Sequence, residues 1–189
     1  MRLFAVATAL AVAAMLGGGS VSHAQSINCT GTVGGAATLT TINGNVIVPG
    51  GAACTLEFVD VAGNVTVQPG GSLLIRAYLE PSTIGGNIQA VNCAATLLEG
   101  NVTVKGSVQI LNCTGTAANG FQGPGIAIGG SFQCLNNAGP CEAWLGELTG
   151  NAQIDNNRGT ASDVTLNTIG GNLQCENNAT APTHSHGYN

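Results

Sequence analysis

One ten-residue word recurs along the chain: IGGNIQAVNC from Ile84, VKGSVQILNC from Val104, IGGSFQCLNN from Ile128, LTGNAQIDNN from Leu148 and IGGNLQCENN from Ile169. Shorter copies, INGNVIV and VAGNVTV, start at Ile42 and Val61. Successive starts are 19, 23, 20, 24, 20 and 21 residues apart. A period of about twenty residues is too short to be a domain. It marks one unit that cannot bury its apolar face alone and must stack on copies of itself.

Each copy reads apolar, x, Gly, Asn/Ser, apolar, polar, apolar. Strict alternation describes a half-buried strand, and no segment after the leader carries a helical period. One short strand per coil predicts an all-β fold, a right-handed parallel β-helix (solenoid) of about seven coils, because right-handed crossovers are the default between parallel strands. At ~4.8 Å per coil the stack is a rod of roughly 30–35 Å.

The alternation assigns faces. The fifth position (Val46, Val65, Ile88, Val108, Phe132, Ala152, Leu173) and the seventh (Val48, Val67, Ala90, Ile110, Cys134, Ile154, Cys175) point inward. The sixth points outward and forms a glutamine ladder: Gln89, Gln109, Gln133, Gln153 and Gln174. Counting two further positions places Asn92, Asn112, Asn136, Asn156 and Asn177 on the inward side at a corner, as a structural ladder of stacked amides. The repeated polar residues therefore read as building material.

Residues 1–24 read as a signal peptide. Arg2 precedes the apolar run Leu3 to Leu16, and Ser22-His23-Ala24 is a small-x-small cleavage site. Nothing later approaches the ~20 apolar residues of a membrane helix, so no membrane span is expected. The remainder divides into an N-terminal cap or first strand (25–41), the solenoid (42–178) and a C-terminal tail (179–189). Export leaves the protein secreted or periplasmic.

Seven cysteines in an exported chain predict disulfides and one odd thiol. Cys93 and Cys113 share a column in adjacent coils, within the Cα range that a disulfide accepts. Cys134 and Cys175 also share a column, but Ile154 separates them by roughly 10 Å, beyond bridging range. Cys134 with Cys141 across the Asn-Asn-Ala-Gly-Pro turn, and Cys29 with Cys54, are then the other candidate pairs. Cys175 is left as a free thiol, either buried or available to a second chain.

Charge is scarce, at 7% of residues. After cleavage Arg76, Lys105 and Arg158 stand against nine carboxylates, a net of −6. Three scattered cations cannot neutralise a phosphate backbone, so nucleic acid is excluded as a partner. Catalytic signals are equally sparse. No histidine lies in the body, since only His184 and His186 follow the leader, in the tail. No metal site and no cofactor are expected. Asp155 and Glu176 occupy one column in adjacent coils, an outward carboxylate pair read as solvated. Trp144, the only tryptophan, together with Tyr78 is a candidate sugar-stacking surface.

Three resemblances attach to these residues. IGGNLQCENNATAPTH, through Gly171, Asn172, Leu173, Gln174 and Cys175, resembles a family of uncharacterised exported bacterial proteins with GNLQC-type repeats; weaker copies cover 84–182. That likeness implies an extracytoplasmic β-solenoid and assigns no activity. GNVTV-x-x-GGSL at 63–73 is similar to the bactofilins and implies end-to-end assembly. The same rhythm looks like hexapeptide-repeat acyltransferases, whose histidine base has no counterpart in the body of this chain. The sequence points first to a non-enzymatic exported structural or surface protein that self-associates through its solenoid ends. The alternative is an extracellular binding module for polysaccharide or another neutral ligand, using the Gln89–Gln174 ladder and Trp144. A solenoid polysaccharide lyase or hydrolase is the third reading.

Overall fold

The apolar alternation forms strands that lie parallel and in register from coil to coil. A computed structural model describes residues 25–35, 38–159 and 162–179. The leader, most of the tail and its two histidines lie outside the described residues. Among the described residues there is no helix, and the chain stacks as a β-solenoid of about seven turns.

Each coil contributes strands to three faces. The first face holds Ile27–Asn28, Val46–Val48, Val65–Val67, Ile88–Val91, Val108–Leu111, Phe132–Leu135, Ala152–Asp155 and Leu173–Glu176. The second holds Gly31–Gly34, Ala53–Glu57, Asn119–Gln122, Cys141–Trp144 and Asp163–Thr165. The third holds Thr40–Ile42, Val59–Val61, Ile126–Ile128, Gly146–Leu148 and Thr168–Ile169. Two long strands, Ser72–Ile84 and Ala95–Val104, run through the second and third faces and join them into one sheet. The described residues of 25–41 supply a strand to each of the three faces, with Ile27 beside Val46, Gly31 beside Cys54 and Thr40 beside Val59.

The inward columns of the first face are buried as expected from Val46 to Ile154. Leu173 departs from them at 48% exposed, because its strand, the last one described on this face, has a coil on one side only. Phe121 and Phe132 meet edge to face inside the stack, with ring centroids 4.9 Å apart.

The recurring Gly-Asn/Ser pair is explained by contact between coils. The backbone N–H of Asn64 donates to Asn45 Oδ1, that of Asn87 to Asn64 Oδ1 and that of Ser107 to Asn87 Oδ1, each at 2.8 Å. Ser131, Asn151 and Asn172 continue the series onto Ser107 Oγ, Ser131 Oγ and Asn151 Oδ1. A Cβ on Gly63, Gly86, Gly106, Gly130, Gly150 or Gly171 would overlap the accepting oxygen of the coil before. Glycine makes the space, and the side chain of the preceding coil fills it.

The corner after the first face corrects the expected ladder. Asn92, Asn112, Asn136, Asn156 and Asn177 are exposed, with φ between 52° and 57°. Counting by twos assumed that the strand continues, but a left-handed turn residue breaks the alternation and turns its own side chain outward. Asparagine tolerates that conformation better than most residues. The inward position falls one residue later, at Cys93, Cys113, Asn137, Asn157 and Asn178. Cys113 N–H donates to Asn137 Oδ1 at 2.8 Å, Asn137 N–H to Asn157 Oδ1 at 3.1 Å and Asn157 N–H to Asn178 Oδ1 at 3.0 Å.

The cysteines pair as the columns require. Cys93 and Cys113 join adjacent coils at a Cα separation of 4.4 Å. Cys134–Cys141 bridges the turn between first and second faces within one coil, at 6.3 Å, and Cys29–Cys54 ties the first coil's corner to the second-face strand of the next coil, at 5.4 Å. Cys175 is free and partly buried.

The two neighbouring asparagines at this corner should respond oppositely to substitution. Asn157 is 1% exposed, and its Nδ2 donates to Cys134 O at 2.9 Å. Asn157→Ala strands that carbonyl and the N–H of Asn137, so urea unfolding should show a loss of about 2–4 kcal/mol. Asn156→Gly keeps the left-handed turn and should stay within about 0.5 kcal/mol of the parent. Equal effects at the two positions would contradict the assignment of faces.

Candidate functional site

The outward residues of the three faces offer different chemistry. On the first face Gln89, Gln109, Gln133, Gln153 and Gln174 are in register, as the alternation predicts. Four of the five, Gln109 to Gln174, bond along the stack. Gln109 Nε2 donates to Gln133 Oε1 at 2.8 Å, and Gln133 Nε2 to Gln153 Oε1 at 3.3 Å. Gln153 and Gln174 both donate to Asp155 Oδ2, at 2.8 and 3.2 Å, while Glu176 N–H donates to Asp155 Oδ1 at 2.8 Å.

Asp155 is therefore not the solvated carboxylate that the sequence suggests. It is 6% exposed and closes the glutamine chain. It shares a column with Glu176 as expected, but three donors occupy its oxygens, which leaves it ill-suited to act as an acid or base. Beneath it, burial first and the Asp155 charge second push the Cys175 thiol up to about 11. At neutral pH that sulfur is a thiol rather than a thiolate, and thiols are poor nucleophiles.

The third face presents Thr41, Asp60, Thr83, Thr103, Ala127, Glu147 and Thr168 in register, a column of mainly small side chains with two separated carboxylates.

The second face concentrates the remaining chemistry, and the sequence reading missed its arrangement. One outward column runs Glu57, Arg76, Glu99, Gln122, Trp144 and Thr165, and the column beside it runs Thr55, Leu74, Leu97, Gly120, Glu142 and Asp163. Trp144 thus lies on a different face from the glutamine ladder, and the two do not form one surface. Trp144 and Tyr78 do belong to the same strip. Trp144 is 40% and Tyr78 65% exposed.

Glu99 organises the strip. Its Oε2 accepts from Tyr78 OH at 2.8 Å and Arg76 Nε at 3.2 Å, and its Oε1 accepts from Gln122 Nε2 at 3.0 Å. Burial alone would raise its pKa. The three hydrogen bonds and the Arg76 charge outweigh burial and hold the carboxyl below its ordinary range. Arg76 also reaches Glu57 at 3.8 Å, and its guanidinium lies 6.0 Å from the Tyr78 ring centroid. Glu142 behaves oppositely. Partial burial, then the charges of Asp163 and Glu99, raise its pKa.

Tyr78 reaches Glu99 because of an insertion. Gly100 pairs with Ala77 and Val102 with Ser82, so the four residues Tyr78–Pro81 face the single Asn101 and bulge outward. Tyr78 and Leu79 thereby wall a shallow groove whose lining includes Phe58, Arg76 and Ala77. Among the described residues no three metal-ligating side chains converge, and no helix is long and apolar enough to cross a membrane. No protein-family model, curated protein or solved structure matches the chain.

The raised pKa of Glu142 fixes the sign of a pH effect. A carboxyl whose folded-state pKa exceeds its unfolded value favours the fold below the unfolded pKa, and that contribution is lost as pH rises through the folded value. Glu142→Gln removes the like-charge contact with Asp163, so it should raise the melting temperature at pH 7 by roughly 1–3 °C. The gain should vanish at about pH 3, where Glu142, whose pKa is raised, is itself protonated and carries no charge to lose. A gain that is the same at both pH values would contradict the assignment.

Proposed function

We propose that the protein is an exported, non-enzymatic structural solenoid that adds further copies at its ends. One observation carries this reading: among the described residues, no strand covers the apolar column of the first face at its C-terminal end. Leu173 is 48% exposed, whereas Val46, Val65, Ile88, Val108 and Phe132 in the same column are fully buried. Among the described residues its strand, Leu173–Glu176, pairs only with Ala152–Asp155. An open strand edge beside an uncovered leucine is the geometry onto which another strand adds.

The polarity of the Gly-Asn/Ser ladder supports the same reading. Every backbone N–H in it points to the coil before, so its last oxygen, Asn172 Oδ1, faces onward. A copy stacked in the same parallel sense joins the head of one chain to the tail of the next and does not close on itself. The likeness to bactofilins at 63–73 points to the same mode of assembly, and the likeness to exported proteins with GNLQC-type repeats points to the same compartment. Export, to the periplasm or the medium, is further supported by the leader sequence and by three cysteine pairs that need an oxidising environment.

Light scattering on a sizing column, run on the chain from Gln25, tests the proposal. The expected result is a mass that grows with concentration, is unchanged in Cys175→Ser and collapses to the monomer in Leu173→Lys, which places a charge on the open edge. A monomer at every concentration would overturn stacking. A dimer lost in Cys175→Ser would overturn it too, because a disulfide would then be the link.

A further inference from the structure

The second face lies along the side of the rod, away from the ends that stacking would use. We propose that its strip from Tyr78 to Trp144 binds a neutral polysaccharide chain laid parallel to the stack axis.

The described aromatic residues divide by exposure, with Phe58 half-buried between the two groups. Phe121 and Phe132 are fully buried and serve the core, while Tyr78 and Trp144 stay exposed on one strip. Those two rings carry an apolar face and a polar handle, which suits the alternating CH-rich and hydroxyl-rich surfaces of a sugar ring. Arg76, Glu99, Gln122 and Trp144 occupy successive coils of one column, so the strip extends roughly 14 Å at the spacing of hydrogen-bonded strands. That span suits an oligosaccharide segment better than a single sugar.

The polar groups between the rings are already fixed. Glu99 holds Tyr78, Arg76 and Gln122 in one hydrogen-bonded set, so little side-chain entropy remains to be lost on binding. The set retains outward capacity of both kinds. The Gln122 carbonyl oxygen can accept, and further guanidinium N–H groups of Arg76 can donate, as a hydroxyl-rich ligand requires. The insertion Tyr78–Pro81 bulges out beside Arg76, and the groove that it walls opens toward Gly35, Glu57 and Phe58 rather than toward Trp144.

Charge selects among ligands. Arg76 is paired with Glu57 and Glu99, and Glu142 and Asp163 lie further along the strip, in the column beside Trp144, with no cation paired to them among the described residues. An anionic polysaccharide or a phosphate-bearing ligand would meet net repulsion, and a neutral chain meets none.

Trp144 is the only tryptophan, so its fluorescence reports on the strip directly. The chain from Gln25 is titrated with laminarin, xyloglucan and amylopectin as neutral probes, and with chitosan and polygalacturonate as cationic and anionic ones. The expected result is a saturable emission shift with at least one neutral probe, unchanged between low and high salt. Gel retardation should show that Trp144→Ala weakens this binding by about tenfold or more, Gln122→Ala by severalfold and Gln109→Ala on the first face not at all. Circular dichroism of each variant confirms that the stack is intact. The proposal is overturned if no neutral probe binds, if retardation survives Trp144→Ala, or if binding is confined to chitosan and falls steeply with salt. That last result would assign the strip to its carboxylates. None of these outcomes depends on whether copies stack at the ends.

Discussion

The structure depends on one close approach, repeated at every coil: an oxygen-bearing side chain of one coil occupies the space that a Cβ would take in the next. The glycine and the Asn or Ser after it are two halves of a single device. The side chain accepts a backbone N–H from the coil above, and the missing Cβ lets that coil descend to hydrogen-bonding distance. Parallel pairing on all three faces follows from that spacing, and so does the burial of the apolar columns. A chain built this way needs many small residues and few charges, which accounts for a composition that would look odd in an ordinary globular domain.

The same device gives the rod a direction. In the Gly-Asn/Ser ladder every accepting side chain faces the following coil, and among the described residues no strand covers the inward column at Leu173. Lateral chemistry must then come from residues that the stacking does not use. On the first face the glutamines and Asp155 bond mainly to one another, so that side is chiefly structural. On the second face an insertion and one well-placed carboxylate gather Tyr78, Arg76 and Gln122 into an ordered surface beside Trp144. Structure and recognition are thus divided between different sides of one stack.

Much of this was legible in the amino-acid order. The alternation around each Gly-Asn/Ser word revealed the solenoid, the inward columns and the vertical pair Cys93–Cys113, because a strand's period of two leaves little choice of face. Legibility stopped where that period is interrupted. Asn92 and its equivalents sit in a left-handed turn that reverses parity, so the buried ladder falls on Asn137, Asn157 and Asn178 instead. The second-face strip was hidden for a related reason. Its strands lack the recurring Gly-Asn/Ser word, and the insertion at Tyr78–Pro81 displaces the count, so Glu99 and Gln122 align only when strand pairing is known. Asp155 looked solvated because nothing in the order of residues shows two glutamine amides folding onto it.

A double-mutant cycle at Gly130 and Ser107 probes the shared device most directly, since a Cβ on Gly130 would overlap Ser107 Oγ. Gly130→Ala should destabilise the protein strongly by urea unfolding, and the same change in a Ser107→Gly background should cost less, with a coupling of about 1 kcal/mol or more. Additive effects would mean that the glycine is not there to admit its neighbour's side chain, and the account of the stack would fail.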